Sequence, residues 1–264
     1  MSSDEADEPV LSVRALDVRV ESTRLLHSID FEVAAGSLVG LIGPNGAGKS
    51  TLLRALAAIL KHERGSVTLG DRDVRGLSSR EVARRLALIT QQPPETHGFT
   101  SLELVLTGRY PHLNRLEVEG GRDRAIARAA MQKTETEAFE ERVASSLSGG
   151  ERQRVFVARG LAQQTPILLL DEPTASLDVR HQLAAFELFR SLVAGGVTAL
   201  VAVHDLELAA RYCDRLVMMA QGRIVADGPP AEVLSPERLS SVFGVSAQTY
   251  PDPVTGMLRV TFSM

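Results

Sequence analysis

Three short stretches of this chain carry residue types suited to handling phosphate. Residues 43–51 read Gly43-Pro44-Asn45-Gly46-Ala47-Gly48-Lys49-Ser50-Thr51. Glycines at this spacing let backbone N–H groups face phosphate oxygens, and a helix starting there presents its positive end. In such a loop Lys49 reaches the β- and γ-phosphates of a nucleoside triphosphate, and the Ser50 hydroxyl is a ligand for Mg²⁺. A second stretch, Ile167-Leu168-Leu169-Leu170, is apolar and ends in Asp171-Glu172. Successive strand side chains point to opposite faces, so the two carboxylates must do different work. Asp171 is expected to reach the metal through a water and Glu172 to polarise an attacking water. The third stretch, 198–203, is again apolar and is followed by His204.

These groups need elements that bring them together. In open α/β sheets, ligands bind beyond the carboxyl ends of strands. Three strand ends carrying a glycine loop, an acid pair and a histidine therefore predict one phosphoryl-transfer site. The alternation of Leu11, Val13, Leu16, Val18 and Val20, then Ile29, Phe31 and Val33, predicts half-buried strands with a turn near 21–24. The apolar run 38–42 reads as a strand buried on both faces. A helix is predicted over 50–61, with Leu52, Leu53, Leu56, Ile59 and Leu60 on one face. Residues 65–76 read as a strand and turn, and 86–90 as a short strand. From 100 to 146 the pattern is helical, as an insertion would be. Strands return at 167–170, 197–203, 216–219 and 223–225, with two weak signals around 251–256. Strands alternating with helices indicate a layered α/β core.

Composition narrows the classes. The 264 residues hold 29 basic and 33 acidic side chains, a net charge of −4. No strongly basic domain stands out, so a nucleic-acid partner is not expected. Residues 1–10 are acidic and turn-prone and read as a flexible tail. Cys213 is the single cysteine; it cannot close an intramolecular disulfide, which fits a reducing compartment. No apolar run approaches the roughly 18–20 residues needed to span a bilayer. The start lacks the basic-then-apolar order of a secretory signal. A cytoplasmic chain is the expectation.

Further motifs fall in a fixed order. Leu147-Ser148-Gly149-Gly150-Glu151 matches the signature sequence of the ATP-binding cassette (ABC) family. Residues 43–51 match its Walker A and 167–172 its Walker B, with Glu172 in the place of the catalytic glutamate. Ala175-Ser176-Leu177-Asp178 resembles its D-loop. His204 falls at its switch histidine, and Gln91, with Gln92 beside it, at its Q-loop glutamine. Over about 11–245 the chain resembles an ABC ATPase. The resemblance implies a P-loop NTPase core with a mixed sheet, an N-terminal antiparallel β-subdomain and an inserted helical subdomain at about 92–165. A C-terminal β-hairpin extension would occupy 246–264. It further implies ATP and Mg²⁺ as ligands. Ser50, Gln91 and Asp171 would serve the metal, and Glu172, His204, Gln91 and Lys49 the reaction. Ser148, Gly149 and Gly150 open a helix, whose N-terminus is an anion site. In this family that site caps ATP held by the opposite protomer, with Asp178 at the interface, so a head-to-tail homodimer is expected.

Residues 99–112 and the tail are similar to importers of iron–siderophore, haem and vitamin B12 chelates. This implies integral membrane permease subunits as partners, a separate substrate-binding protein, and a peripheral place on the cytoplasmic face of the membrane. The alternative is a soluble ABC ATPase of an assembly system such as iron–sulfur cluster biogenesis, which is also one short cassette. A P-loop kinase is disfavoured by the signature. Two departures carry expectations. Glu151 stands where glutamine is commoner. No aromatic lies near Val20, where the family stacks on adenine, so base selectivity should be loose.

Overall fold

The computed structural model describes residues 9–91, 98–114 and 117–263. Gln92 and residues 1–8 of the tail expected over 1–10 lie outside them, and the last two residues of that tail, Pro9 and Val10, belong instead to the first strand. The chain begins with β1 (Pro9–Val20), β2 (Thr23–Ala34), β3 (Leu38–Ile42), α1 (Lys49–Leu56), β4 (Arg64–Leu69), β5 (Arg72–Asp73), α2 (Ser79–Ala83) and β6 (Leu86–Ile89). Helices α3 (Ser101–Leu106), α4 (Gly121–Lys133) and α5 (Gly149–Ala162) follow. Then come β7 (Ile167–Asp171), α6 (Val179–Ala194), β8 (Thr198–Ala202), α7 (Leu206–Tyr212), β9 (Arg215–Ala220) and β10 (Arg223–Gly228). The last elements are α8 (Pro230–Val233), α9 (Pro236–Phe243), β11 (Ser246–Pro251) and β12 (Leu258–Ser263).

Strands β2-β1-β4-β5 form an antiparallel sheet. Its first strand explains a quirk of the sequence. Buried positions change parity from Leu11 and Val13 to Leu16 and Val18. Ala15 between them has φ 45°, and the register against β2 slips there. This is the mark of a β-bulge, which re-aims the following side chains. Val20, expected on the inner face, is 41% exposed at the hairpin end.

The second sheet has the order β10-β9-β3-β8-β7-β6. All neighbours are parallel except β10, which closes one edge antiparallel to β9. Both faces are covered, so β3, β7 and β8 are buried along their whole length. One core, containing Leu41, Leu53, Leu56 and Val217, joins this sheet to the antiparallel one through α1. The other, containing Ile42, Leu170, Phe186, Phe189 and Tyr212, lies beneath α6 and α7. A third core ties α3, α4 and α5 together through Leu102, Val105, Ala127, Met131, Val155 and Phe156.

Helix α1 is shorter than its periodicity predicts, ending at Leu56 rather than 61. Ala58 turns left-handed at φ 55°, and the N–H groups of Ile59 and Leu60 both donate to the Arg54 carbonyl. The chain must turn back to enter β4, so Ile59 ends 63% exposed instead of on the helix face. The weak strand signals at 251–256 mark a turn, and the two strands flank it. At the far end of α5, the Gln163 Nε2 donates to the carbonyls of Ala83 (2.5 Å) and Leu86 (3.0 Å). The Gln163 carbonyl meets His112 Nε2 at 2.7 Å. Among the described residues no helix is long and apolar enough to cross a membrane.

Candidate functional site

The loop between β3 and α1 is shaped by backbone conformations that side chains oppose. Gly43 has φ 142°, and a Cβ there would lie 2.1 Å from the Met219 carbonyl oxygen. Only glycine lets the loop close against β9. Gly46, at φ 77°, has nothing within 4 Å of where a Cβ would stand. Its open side is the face a phosphate would fill. Within the loop Ala47 N–H donates to the Pro44 carbonyl at 3.1 Å, while Asn45 points to solvent. The β9–β10 turn supports it from behind. Gly222 N–H donates to the Ala47 carbonyl at 3.0 Å, and His27 N–H to the Gly222 carbonyl at 2.9 Å. The sequence reading places strands at 216–219 and 223–225 but does not show that the link between them braces this loop.

Gly48 caps α1, so Lys49, Ser50 and Thr51 form its first turn. Lys49 is 5% exposed, and its Nζ donates to the carbonyls of Gly43 (2.7 Å) and Pro44 (3.2 Å). Burial lowers its pKa, while the nearby Glu172 and Asp171 charges oppose that shift. Ser50 Oγ donates to Asp171 Oδ1 at 2.8 Å. Asp171 is 2% exposed, and burial pushes its carboxyl above the ordinary range, with the Ser50 bond opposing. The hydroxyl and carboxylate are hard oxygen donors of the kind Mg²⁺ selects, with phosphate oxygens completing its shell. The donor set therefore fits a magnesium–nucleotide complex.

Three neighbouring parallel strands end level with one another. Ile89 lies beside Leu170, and Asp171 beside Ala202. The residues just beyond them, Gln91, Glu172 and His204, are thereby delivered to one point. Glu172 has φ 51°, and its N–H donates to the Ala202 carbonyl at 3.2 Å. This left-handed turn costs a non-glycine residue roughly 1–3 kcal/mol, and it swings the carboxylate out of the strand. Gln91 Nε2 donates to Glu172 Oε2 at 2.6 Å. His204 Nε2 pairs with Glu172 Oε1. With its amide nitrogen so engaged, Gln91 has its side-chain carbonyl oxygen as the donor it could offer a metal. The sequence shows the acid pair, but not that Glu172 adopts this conformation.

The remaining predicted residues form a second group. Ser148 caps α5, with Glu151 N–H donating to Ser148 Oγ at 3.3 Å and Ser148 N–H to Glu151 Oε2 at 2.8 Å. Glu151 thus closes a capping box, a part that glutamine at this position can also fill. Asp178 caps α6; its Oδ1 accepts from His181 N–H at 2.9 Å and meets His181 Nδ1 at 2.8 Å. The backbone bond from His181, followed by the imidazole, holds the Asp178 carboxyl below the ordinary range. Ser148, Gly149 and Gly150 share a surface cavity with Ser176, Leu177 and Asp178. No residue of the 43–51 loop lines it. Within one chain the two groups of residues therefore lie apart.

A phosphate loop between a doubly buried parallel strand and a helix, with Ser50 and Asp171 paired beside it, defines a P-loop NTPase fold. Residues 26–175 match the ABC transporter family, and the chain belongs to that family. It is 45% identical over 252 residues to the cobalamin import ATP-binding protein BtuD of Halobacterium salinarum, covering 95% of this chain but 63% of that protein. The chain thus spans less than two thirds of that relative. It is 43% identical to the hemin import ATP-binding protein HmuV of Streptomyces coelicolor, over 96% of this chain and 90% of that protein. Among solved structures, a chain from an inward-facing transporter assigned to the metal-chelate type of ABC transporter matches with TM-score 0.84. That match covers 97% of this chain and 98% of the other, at 23% identity. A dimeric ATP-binding cassette in a post-hydrolysis state, bound to ADP and Pi, matches with TM-score 0.75 over 83% of this chain and 98% of that one, at 25% identity.

Proposed function

We propose that this chain is the ATP-hydrolysing subunit of an ABC importer for a metal chelate: an iron–siderophore, haem or vitamin B12. The observation that carries the hydrolytic part of the reading is the convergence of Gln91, Glu172 and His204 beside the Ser50–Asp171 pair and the phosphate loop, while the import part rests on the import ATP-binding relatives. In this reading residues 43–51 bind the phosphates, and Lys49 leaves its loop carbonyls for the β- and γ-oxygens. Ser50, Asp171 and Gln91 hold Mg²⁺, which when bound neutralises charge on the phosphate oxygens. Glu172 orients and polarises the attacking water, and His204 contacts the γ-phosphate. With no aromatic at Val20, the base is held loosely.

Ser148, Gly149, Gly150 and Asp178 serve the nucleotide of a second copy. Their separation from the phosphate loop within one chain supports a head-to-tail homodimer, and the dimeric solved cassette is consistent with it. Residues 11–245 would be the nucleotide-binding domain, with 92–165 the helical subdomain and 246–264 an extension. The import relatives support partnership with an integral permease, a substrate-binding protein acting through it, and a peripheral position on the cytoplasmic face of the membrane. No described feature favours the soluble-assembly alternative. A mild-detergent pull-down from native membranes, read by mass spectrometry, tests the transport claim. Recovery of a polytopic membrane protein is expected. Recovery of soluble scaffold proteins alone would overturn it.

A further inference from the structure

The C-terminal hairpin is not an isolated ornament. A two-stranded hairpin is marginal alone in water, and this one leans on the core beneath α6 and α7 through Ala247, Leu258 and Val260. Its tip is tightly organised. The Asp252 carboxylate accepts from Val254 N–H at 3.0 Å, Thr255 N–H at 2.8 Å and Arg259 Nε at 2.9 Å. Arg259 is thereby held by one edge of its guanidinium. The other edge reaches out of the hairpin, where Nη1 donates to Glu207 Oε2 at 2.5 Å.

Glu207 sits in the first turn of α7. Its N–H and that of Leu208 both donate to Asp205 Oδ1 at 2.9 Å, the cap that starts the helix. His204 is the residue immediately before that cap and touches Glu172. The other end of α7 is anchored in the core. Tyr212 stacks on Phe186 at 5.2 Å, and its hydroxyl donates to Glu187 at 2.8 Å. The solvent side of the first turn is gripped by Arg259. Hairpin, α7 and the start of α6 also share one cleft, lined by Met257, Leu208 and Val179, next to Asp178.

We infer that Arg259 is a positioning residue for the proposed ATPase site, clamping the first turn of α7 through Glu207 and so fixing where His204 stands. The C-terminal hairpin is then a remote part of the hydrolytic apparatus. This rests on the role proposed above for Glu172 and His204.

The test is steady-state MgATP hydrolysis by the purified full chain carrying Arg259→Ala, Arg259→Lys, Glu207→Gln, or Arg259→Ala with Glu207→Gln. Exposed ion pairs are modest, so each of Arg259→Ala and Glu207→Gln should lower kcat about two- to fivefold with KM unchanged. The double variant should be no slower than the slower single one, because both remove the same clamp. Arg259→Lys should recover most of the loss. Amide exchange at 204–209 should quicken in Arg259→Ala. An unchanged kcat, or losses that multiply in the double variant, would overturn the clamp. Wild-type turnover that survives Glu172→Gln would instead overturn the hydrolytic reading of the site.

Discussion

Glu172 is the residue on which the proposed chemistry turns, and it stands in a conformation that its neighbours must maintain. Gln91 and His204 both bond its carboxylate, and the Ala202 carbonyl takes its N–H. Changing Glu172 to Gln preserves shape and hydrogen-bonding reach but removes the base. Turnover is expected to vanish while ATP still closes two copies. Size-exclusion chromatography in MgATP should show a dimer, and a monomer alone would refute this. Lys49→Ala removes the one cation inside the phosphate loop, so ATP affinity should collapse. Calorimetry giving wild-type affinity would disprove the loop's role. Asp171 makes a prediction about pH. Burial raises its folded pKa above the unfolded value, so its protonated form favours folding. That contribution is present at low pH and fades as pH rises through the folded pKa. Asp171→Asn should therefore raise the melting temperature at pH 8, with the gain shrinking towards pH 4, while MgATP turnover is lost. Calorimetric scans in which the wild type melts higher at pH 8 would contradict this.

At the scale of elements, the helix start at Ser148 caps α5 and, in the proposed dimer, would also offer its N–H groups to the nucleotide of a second copy. Ser148→Arg should keep ATP binding to a single copy yet block hydrolysis by at least tenfold, because the bulk falls where a second copy must approach. Full activity in that variant would rule out a composite site. The elements themselves were largely legible. The apolar runs of β3, β7 and β8 announced strands buried on both faces, and Gly43 to Ser50 announced the turn between β3 and α1. Three things were not. The end of α1 was hidden because Ile59 and Leu60 continue a helical spacing while the chain is already turning at Ala58. The parity change in β1 was present in the letters, but a bulge is a backbone event. The meeting of Gln91 with Glu172, 81 residues apart in sequence, depends on two strands ending level, which local pattern cannot encode.

At the scale of the whole molecule, three apolar cores among the described residues divide the labour. The two cores on either side of the large sheet hold the strand ends in register, and the third packs α3, α4 and α5 on one another while Val157 and Leu161 of α5 also reach the core beneath α6 and α7. Cys213 reports on the integrity of this packing. It is 6% exposed, and burial pushes its thiol up to about 12. Its Sγ also lies 2.9 Å from where a Cβ on Gly40 would stand, in the heart of the sheet. Labelling by a thiol reagent at pH 8 should be negligible in the folded chain and should appear together with global unfolding. Rapid labelling under native conditions would show that this region opens by itself.

Helix α5 spans 14 residues, about 21 Å at the usual rise. One tip is Ser148, beside Asp178; the other is Gln163, fastened to Ala83, Leu86 and His112. In the proposed dimer, α5 is one unbroken helix between the surface a second copy would meet at Ser148 and the residues of α2 and β6 that Gln163 holds.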